Sequence, residues 1–105
     1  MTKFIFVYHG GSMPETEEEA ALMMAKWHSW FDGLGSAVID GGNPVGLSKT
    51  VNSNGSVDDH GGANPASGYS LLQADTIEAA LDMAQGCPIR ESGGSIEVAP
   101  IVEMD

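Results

Sequence analysis

Positive charge is scarce in this chain. Four of the 105 residues are lysine or arginine, against 15 aspartates and glutamates, and the formal net charge is −11. Such a surface repels the phosphates of nucleic acids and of anionic membranes, because binding to either depends largely on lysine and arginine. We therefore expect neither nucleic acid nor a membrane as a partner.

Cysteine and long apolar runs are scarce as well. Cys87 is the single cysteine, so it cannot form an intramolecular disulfide, which favours a reducing compartment. No run approaches the roughly 20 apolar residues of a membrane-spanning helix. The first residues have the pattern of a strand rather than of a signal peptide. The expected location is the cytoplasm.

Specific catalytic and ligand-binding motifs are missing. No serine completes the Gly-x-Ser-x-Gly pattern of a nucleophile elbow. The glycines follow neither the dinucleotide fingerprint nor the phosphate-loop spacing, and no two histidines have the helical spacing of metal ligands. We expect no cofactor and no metal, and we interpret Cys87 as a small buried hydrophobic residue rather than a nucleophile.

The sequence contains the same order of predicted secondary-structure elements twice. An apolar strand from Phe4 to His9 is followed by an amphipathic helix from Glu15 to Leu34 and by a second strand beginning at Ala37. The order returns as Tyr69 to Ala74, Asp75 to Gln85 and Ser95 to Val102. Two β-α-β units in tandem predict a ferredoxin-like βαββαβ fold of the α+β class, in a single domain over residues 1–105.

Both predicted helices begin with a capping signal. Thr16 with Glu19 fits a capping box, and Asp75 is the expected N-cap of the second helix. Along the first helix, one apolar stripe is formed by Ala20, Met23, Met24, Trp27, Phe31 and Leu34. We interpret this stripe as core rather than as a cofactor site.

The first strand is apolar on both faces. Phe4, Phe6 and Tyr8 alternate with Ile5 and Val7, although a sheet that is covered on one face should alternate apolar with polar residues. Two helices supply cover for one face only. The sequence therefore predicts a homodimer in which two sheets pack face to face, a dimeric α+β barrel.

Residues 41–67 separate the two units and are rich in glycine, asparagine, serine and proline. Asn54-Gly55 lies between Thr50-Val51 and Val57, and this dipeptide is a strong signal for a tight turn between strands. We expect a small, mobile β-hairpin inserted between the two units.

The chain resembles the YCII-related (YciI-like, DGPF-type) domain family over nearly its whole length. The resemblance is carried by the order of elements, by residues 68–75 (GYSLLQAD) with residues 78–80 (EAA), and by residues 93–101 (GGSIEVAPI). It implies a dimeric ferredoxin-like protein with a cleft for a small molecule. The Asp-Gly-Pro-Phe motif of the DGPF branch is absent, because the chain reads Asp58-Asp59-His60-Gly61 there.

The YciI branch carries a proposed acid-base pair, a histidine in the first helix and an aspartate after the second strand. Asp40 approximates this aspartate, whereas His28 lies about one turn late for the histidine. From the residues themselves, His9 ends the first strand and Asp40 the second, and we predict that Asp40 orients His9 as a general base. The alternative is that His9 only ends its strand.

The other candidates are less specific. His28 flanks the apolar stripe and is interpreted as a packing residue, although whether His9 or His28 is the functional histidine stays open. His60, Asp59 and Tyr69 are predicted to bind a ligand, with His60 closing over the site from the hairpin segment or remaining an ordinary loop residue.

Two functions of different classes follow from these patterns. The chain is either a dimeric small-molecule-binding protein or cofactor-independent enzyme with His9 and Asp40 as an acid-base pair, or a non-catalytic dimeric module that binds a metabolite or a protein. The effect of replacing His9 or Asp40 on turnover distinguishes the two.

Overall fold

A four-stranded antiparallel sheet carries two helices on one face. The computed structural model describes residues 1–104; residue 105, the last of the predicted domain, lies outside the described residues. The regular elements are β1 (Thr2–His9), α1 (Glu17–Leu34), β2 (Val38–Asp40), β3 (Thr50–Val51), β4 (Val57–Asp58), β5 (Ala66–Ala74), α2 (Ile77–Gln85) and β6 (Ser95–Pro100). Short 3₁₀ turns at Gly35–Ala37 and Pro88–Ser92 precede β2 and β6.

The strands of the main sheet lie in the order β2-β5-β1-β6, and each neighbouring pair is antiparallel. The first and last strands of the two β-α-β units therefore interleave, with β1 and β5 in the centre. This order is consistent with the predicted ferredoxin-like arrangement. Among residues 1–104, no helix is both long and apolar enough to cross a membrane.

The core lies between the sheet and the helices. Phe4, Phe6 and Tyr8 alternate along β1 and are buried with the inward residues of β5 and α2, namely Leu72, Ala74, Ala80 and Ala84, and with Cys87. Small alanines on α2 let this helix approach the sheet closely. Trp30 packs on Phe6 and donates a hydrogen bond from Nε1 to the Met83 carbonyl at 3.0 Å.

Burial makes the thiol of Cys87 a weaker acid than a solvent-exposed thiol. Loss of solvent raises the pKa of Cys87 to about 11, although a hydrogen bond with the Ile89 backbone acts in the opposite direction. Burial also raises the pKa of the Tyr8 phenol, and the hydrogen bond with Ser70 opposes the shift. Cys87 is therefore protonated at neutral pH, as expected for a buried hydrophobic residue rather than a nucleophile.

These two shifts predict that the protein loses stability in alkali. Above pH 9 the unfolded thiol releases its proton while the folded thiol keeps it until about pH 11. The folded state then binds more protons, so the free energy of unfolding falls by up to about 1.4 kcal/mol per pH unit over this window. Urea unfolding at pH 8, 9 and 10 should show this fall in the wild type and a smaller one in Cys87→Ala. Equal slopes would contradict the assignment to Cys87.

Both helices begin at a threonine. Thr16 Oγ1 accepts a hydrogen bond from Glu19 N at 3.0 Å, as predicted, while the Glu19 carboxylate accepts from Glu15 N. For the second helix the predicted cap is wrong. The cap is Thr76 rather than Asp75, since Thr76 Oγ1 accepts from Ala79 N at 3.1 Å. Either side chain can cap a helix, and the chain adopts helical geometry one residue later than the sequence suggested.

The inserted hairpin is present where the sequence predicted it. β3 and β4 form a separate two-stranded sheet, in which Val51 pairs with Val57. Between them, Gly55 adopts a left-handed φ of 89° and Asn54 Oδ1 accepts a hydrogen bond from Ser56 N. An asparagine that bonds its own turn, followed by a glycine, is the local chemistry that closes such a hairpin.

No helix among residues 1–104 covers the second face of the main sheet. The outward residues of the central strands, among them Ile5, Val7 and Leu71, are only half-buried. The protein is accordingly flat, with principal extents of 45, 43 and 18 Å. Its radius of gyration is 15.1 Å, against about 13 Å for a globular domain of this length.

Candidate functional site

A cavity of about 550 Å³ lies between α1 and the turns that follow β1 and β2. Its walls come from four places: the apolar stripe of α1, Gly10 to Pro14 after β1, Gly41 to Pro44 after β2, and the 3₁₀ turn at Pro88–Ser92. The inner end of the cavity reaches Tyr8 and Gly68 in the sheet. The volume lies within the range of small-molecule sites in proteins, about 300–1,000 Å³.

Aromatic and methionine side chains form the α1 wall. Trp27 meets Tyr8 edge-to-face, with ring centroids 5.1 Å apart, and Phe31 lies 5.9 Å from Trp27. Met23 and Met24 extend this wall, and Met24 remains 56% exposed. The wall is rigid at the aromatic end and adaptable at the methionine end, because methionine has three flexible bonds and a polarisable sulfur.

Below this wall, the hydroxyl groups of Tyr8 and Ser70 are hydrogen-bonded within the protein. Tyr8 donates its hydroxyl hydrogen to Ser70 Oγ at 2.8 Å, and Ser70 donates in turn to the Gly41 carbonyl at 2.6 Å. Burial raises the pKa of Tyr8, so the phenol is neutral at physiological pH. This relay ties the sheet to the turn after β2 and fixes the position of Tyr8 at the base of the cavity.

Glycine is required where the turn after β2 runs along β5. Gly42 has a φ of 71°, and a Cβ atom there would overlap the Tyr69 carbonyl. The same stretch pairs with β5 through Asn43 O, which accepts from Tyr69 N, and through Val45 N, which donates to Ser67 O. The rim of the cavity therefore depends on a backbone approach that a side chain would prevent.

The cavity is almost free of charge. None of the aspartates, glutamates, lysines and arginines among residues 1–104 lines it, although such residues make up 18% of the chain. His28 is the histidine that lines it, from the exposed side of α1. Charged groups that would bind a phosphate or carboxylate directly are thus absent from the lining.

The structure does not bring His9 and Asp40 together. β5 lies between their strands, and Asp40 is level with Ile5, four residues before His9. Four strand residues span about 13 Å, with two strand spacings of about 4.8 Å in the other direction. Asp40 instead accepts a hydrogen bond from Gly42 N at 2.9 Å. The predicted hydrogen bond between the two side chains is wrong, because sheet order separates elements that are adjacent in the β-α-β unit.

His9 is held by acceptors on both ring nitrogens. Its Nδ1 lies 3.0 Å from the Asn64 carbonyl and 3.2 Å from the Pro65 carbonyl, and its Nε2 lies 3.0 Å from Glu97 Oε1. A general base takes a proton from its substrate through a free ring nitrogen. Both ring nitrogens of His9 already face acceptor atoms of the protein. The side chain is 11% exposed and belongs to the open face of the sheet rather than to the cavity.

We expect His9→Ala to destabilise the fold without weakening ligand binding in the cavity. The substitution removes the bonds that fasten residues 64–65 and β6 to the end of β1, which should lower the free energy of unfolding by about 1–3 kcal/mol. Urea denaturation measures this loss. His60→Ala is the matched control, because His60 is exposed and accepts one bond, from Gly62 N. Its expected change is within about 0.5 kcal/mol; an equal loss in both variants would contradict the role of His9.

Of the three predicted ligand-binding residues, one lies in the cavity wall and two lie outside it. Tyr69 lies in the cavity wall, although the alternation of β5 places its side chain on the open face opposite Val7. Asp59 forms an exposed ion pair with Lys49 at 2.9 Å. Asp59 and His60 lie beyond the lining residues, in the segment that follows β4. The binding role of these three residues stays a prediction.

Sequence reasoning missed the α1 wall. The sequence pattern predicts that the stripe is core, and part of it is: Trp27 and Leu34 pack against the buried cluster. None of the α1 residues is buried, however, and Ala20, Met23, Met24 and Phe31 line the cavity with Trp27. No local signal in the sequence separates these cavity residues from the core residues of the same stripe.

Neither metal-binding groups nor similarity to known proteins assigns a function to the cavity. Within residues 1–104, no group of three or more histidine, cysteine, aspartate or glutamate side chains is arranged to hold a metal ion. No protein-family model matches the chain, and no curated protein matches it.

Proposed function

We propose that this protein binds a small, largely apolar molecule in the cavity between α1 and the glycine-rich turns. The observation that carries the proposal is the cavity itself: about 550 Å³, walled by aromatic and methionine side chains. The YCII-related resemblance of the sequence supports the same function, since that family is associated with a small-molecule cleft. We favour binding over acid-base catalysis because no carboxylate side chain of residues 1–104 lines the cavity and His9 lies outside it.

We also propose that the working unit is a cytoplasmic homodimer of ferredoxin-like protomers. The support is the open face of the sheet, on which Ile5, Val7 and Leu71 remain half-buried in the protomer. A second copy of the chain offers a complementary apolar face by two-fold symmetry. The helices and the cavity lie on the opposite side of the sheet, so dimerisation leaves the cavity open.

A thermal-shift screen of uncharged and charged metabolites tests the binding function. A ligand that binds only the folded state raises its stability by RT ln(1 + [L]/Kd). Ala20→Phe should abolish the shifts, since Ala20 lines the cavity and the added ring occupies it. Ala21→Phe is the control, because Ala21 is exposed on the neighbouring face of α1. Shifts that persist in Ala20→Phe, or a complete lack of hits, would contradict the proposal.

A further inference from the structure

We infer that the ligand of this cavity is an uncharged molecule with an aromatic ring. The inference rests on the proposed binding function and narrows it to a chemical class. The evidence is a contrast within one molecule: the chain has a formal charge of −11, yet none of the lysine, arginine, aspartate or glutamate residues that the structure describes lines the cavity.

Two features of the protein disfavour an anionic ligand. The net charge of the protein repels it at long range, and no lysine or arginine in the wall compensates for its loss of water. The Tyr8 hydroxyl cannot substitute for a cation, because it already donates its hydrogen to Ser70 Oγ. Ser67, which lines the cavity and whose buried Oγ has no hydrogen-bond partner among residues 1–104, supplies a neutral hydroxyl and no positive charge. Phosphorylated metabolites and carboxylates therefore fall outside the class.

A cation is attracted by the net charge and gains a cation–π contact with an aromatic face, but no carboxylate of residues 1–104 lines the cavity. Without that partner its ammonium group loses more hydration on entry than an uncharged group does, and the long-range attraction is weakened by salt. An uncharged molecule loses the least water on entry. It also gains the most from a wall of apolar carbon and sulfur atoms.

The aromatic preference comes from the α1 wall. Tyr8, Trp27 and Phe31 already form a chain of ring contacts at 5.1 and 5.9 Å, and another ring would extend this chain by edge or offset stacking. Such ring pairs add about 0.5–1.5 kcal/mol beyond the area that they bury. Met23 and Met24 supply sulfur atoms that also favour contact with aromatic rings.

Four probes of nearly equal size test the class by isothermal titration calorimetry on the intact protein. They are 2-(1-naphthyl)ethanol, its ammonium analogue 2-(1-naphthyl)ethylamine, its carboxylate analogue 1-naphthylacetate, and the saturated decahydronaphthyl ethanol. We expect the neutral naphthyl alcohol to bind at least tenfold more tightly than either ion and at least threefold more tightly than the saturated alcohol. Tighter binding of an ion or of the saturated alcohol would overturn the inference.

A charge introduced into the cavity wall gives a second test of the ligand class. Met24→Lys should raise the affinity for 1-naphthylacetate and lower that for the ammonium probe, because Met24 lines the cavity. Ala25→Lys, one residue further along and exposed, controls for the change in net charge. If none of the four probes binds while the metabolite screen gives hits lost in Ala20→Phe, the ligand class is wrong and the binding function stands. If neither the probes nor the screen gives binding, both fail.

Discussion

Replacing Leu71 with glutamate should convert the proposed homodimer into monomers. Leu71 lies in the middle of β5, in register with Ile5 of β1 and on the face opposite the helices. In the proposed dimer, two-fold symmetry brings two copies of this side chain into one interface, so the substitution buries two carboxylates with no positive partner. An uncompensated buried charge costs several kcal/mol, which weakens dimerisation at least a hundredfold.

Light scattering on a size-exclusion column measures the result. At micromolar concentration the wild type should have about twice the protomer mass of 10.9 kDa, and Leu71→Glu should have the protomer mass. Leu47→Glu is the matched control, because Leu47 is fully exposed in the segment after β2, and it should remain dimeric. A monomeric wild type would contradict the dimer. The helical circular dichroism of Leu71→Glu should remain that of the wild type, which excludes unfolding as the cause.

Replacing Gly42 with alanine should have the second largest effect. At a φ of 71°, an L-residue other than glycine pays about 1–2 kcal/mol in backbone strain. The new Cβ would also overlap the Tyr69 carbonyl, so the turn must move away from β5 and release its hydrogen bonds to Tyr69 and Ser67. We expect a loss of about 3 kcal/mol or more in the free energy of unfolding, together with loss of binding in the cavity.

Gly46→Ala provides the comparison for this experiment. Gly46 belongs to the same segment, has no positive φ and has open space around its Cα, so alanine should change the free energy of unfolding by no more than about 0.5 kcal/mol. Urea denaturation of both variants gives the two values. Similar values for Gly42→Ala and Gly46→Ala would show that the close approach to Tyr69 does not hold the rim.

The fold was the predictable part of this protein. The alternation of Phe4, Phe6 and Tyr8 marks one face of β1, the Asn54-Gly55 turn marks the hairpin, and Thr16 marks the start of α1. Each of these signals is local, so neighbouring residues determine it. Boundaries were less accurate: the last strand ends at Pro100 rather than Val102, although β1 continues to Thr2 and Ile101 N still donates to Lys3 O.

The site was much less predictable, because it depends on which residues the tertiary structure brings together. His9 and Asp40 end adjacent strands of one β-α-β unit, yet β5 inserts between them and His9 meets Glu97, 88 positions away in sequence. Periodicity likewise places Met23, Met24 and Phe31 on the inner side of α1. It does not reveal that the sheet beneath them gives way to a cavity.

Nuclear magnetic resonance of the two tryptophan indole groups tests the central claim most directly. Trp27 lines the cavity, whereas Trp30, three residues later, donates its Nε1 hydrogen to Met83 O. Titration of the ¹⁵N-labelled protein with 2-(1-naphthyl)ethanol should move the Nε1 resonance of Trp27 in a saturable way and leave that of Trp30 nearly unchanged. Equal shifts of both resonances, or no shift of Trp27 at saturating probe, would contradict a ligand site between α1 and the glycine-rich turns.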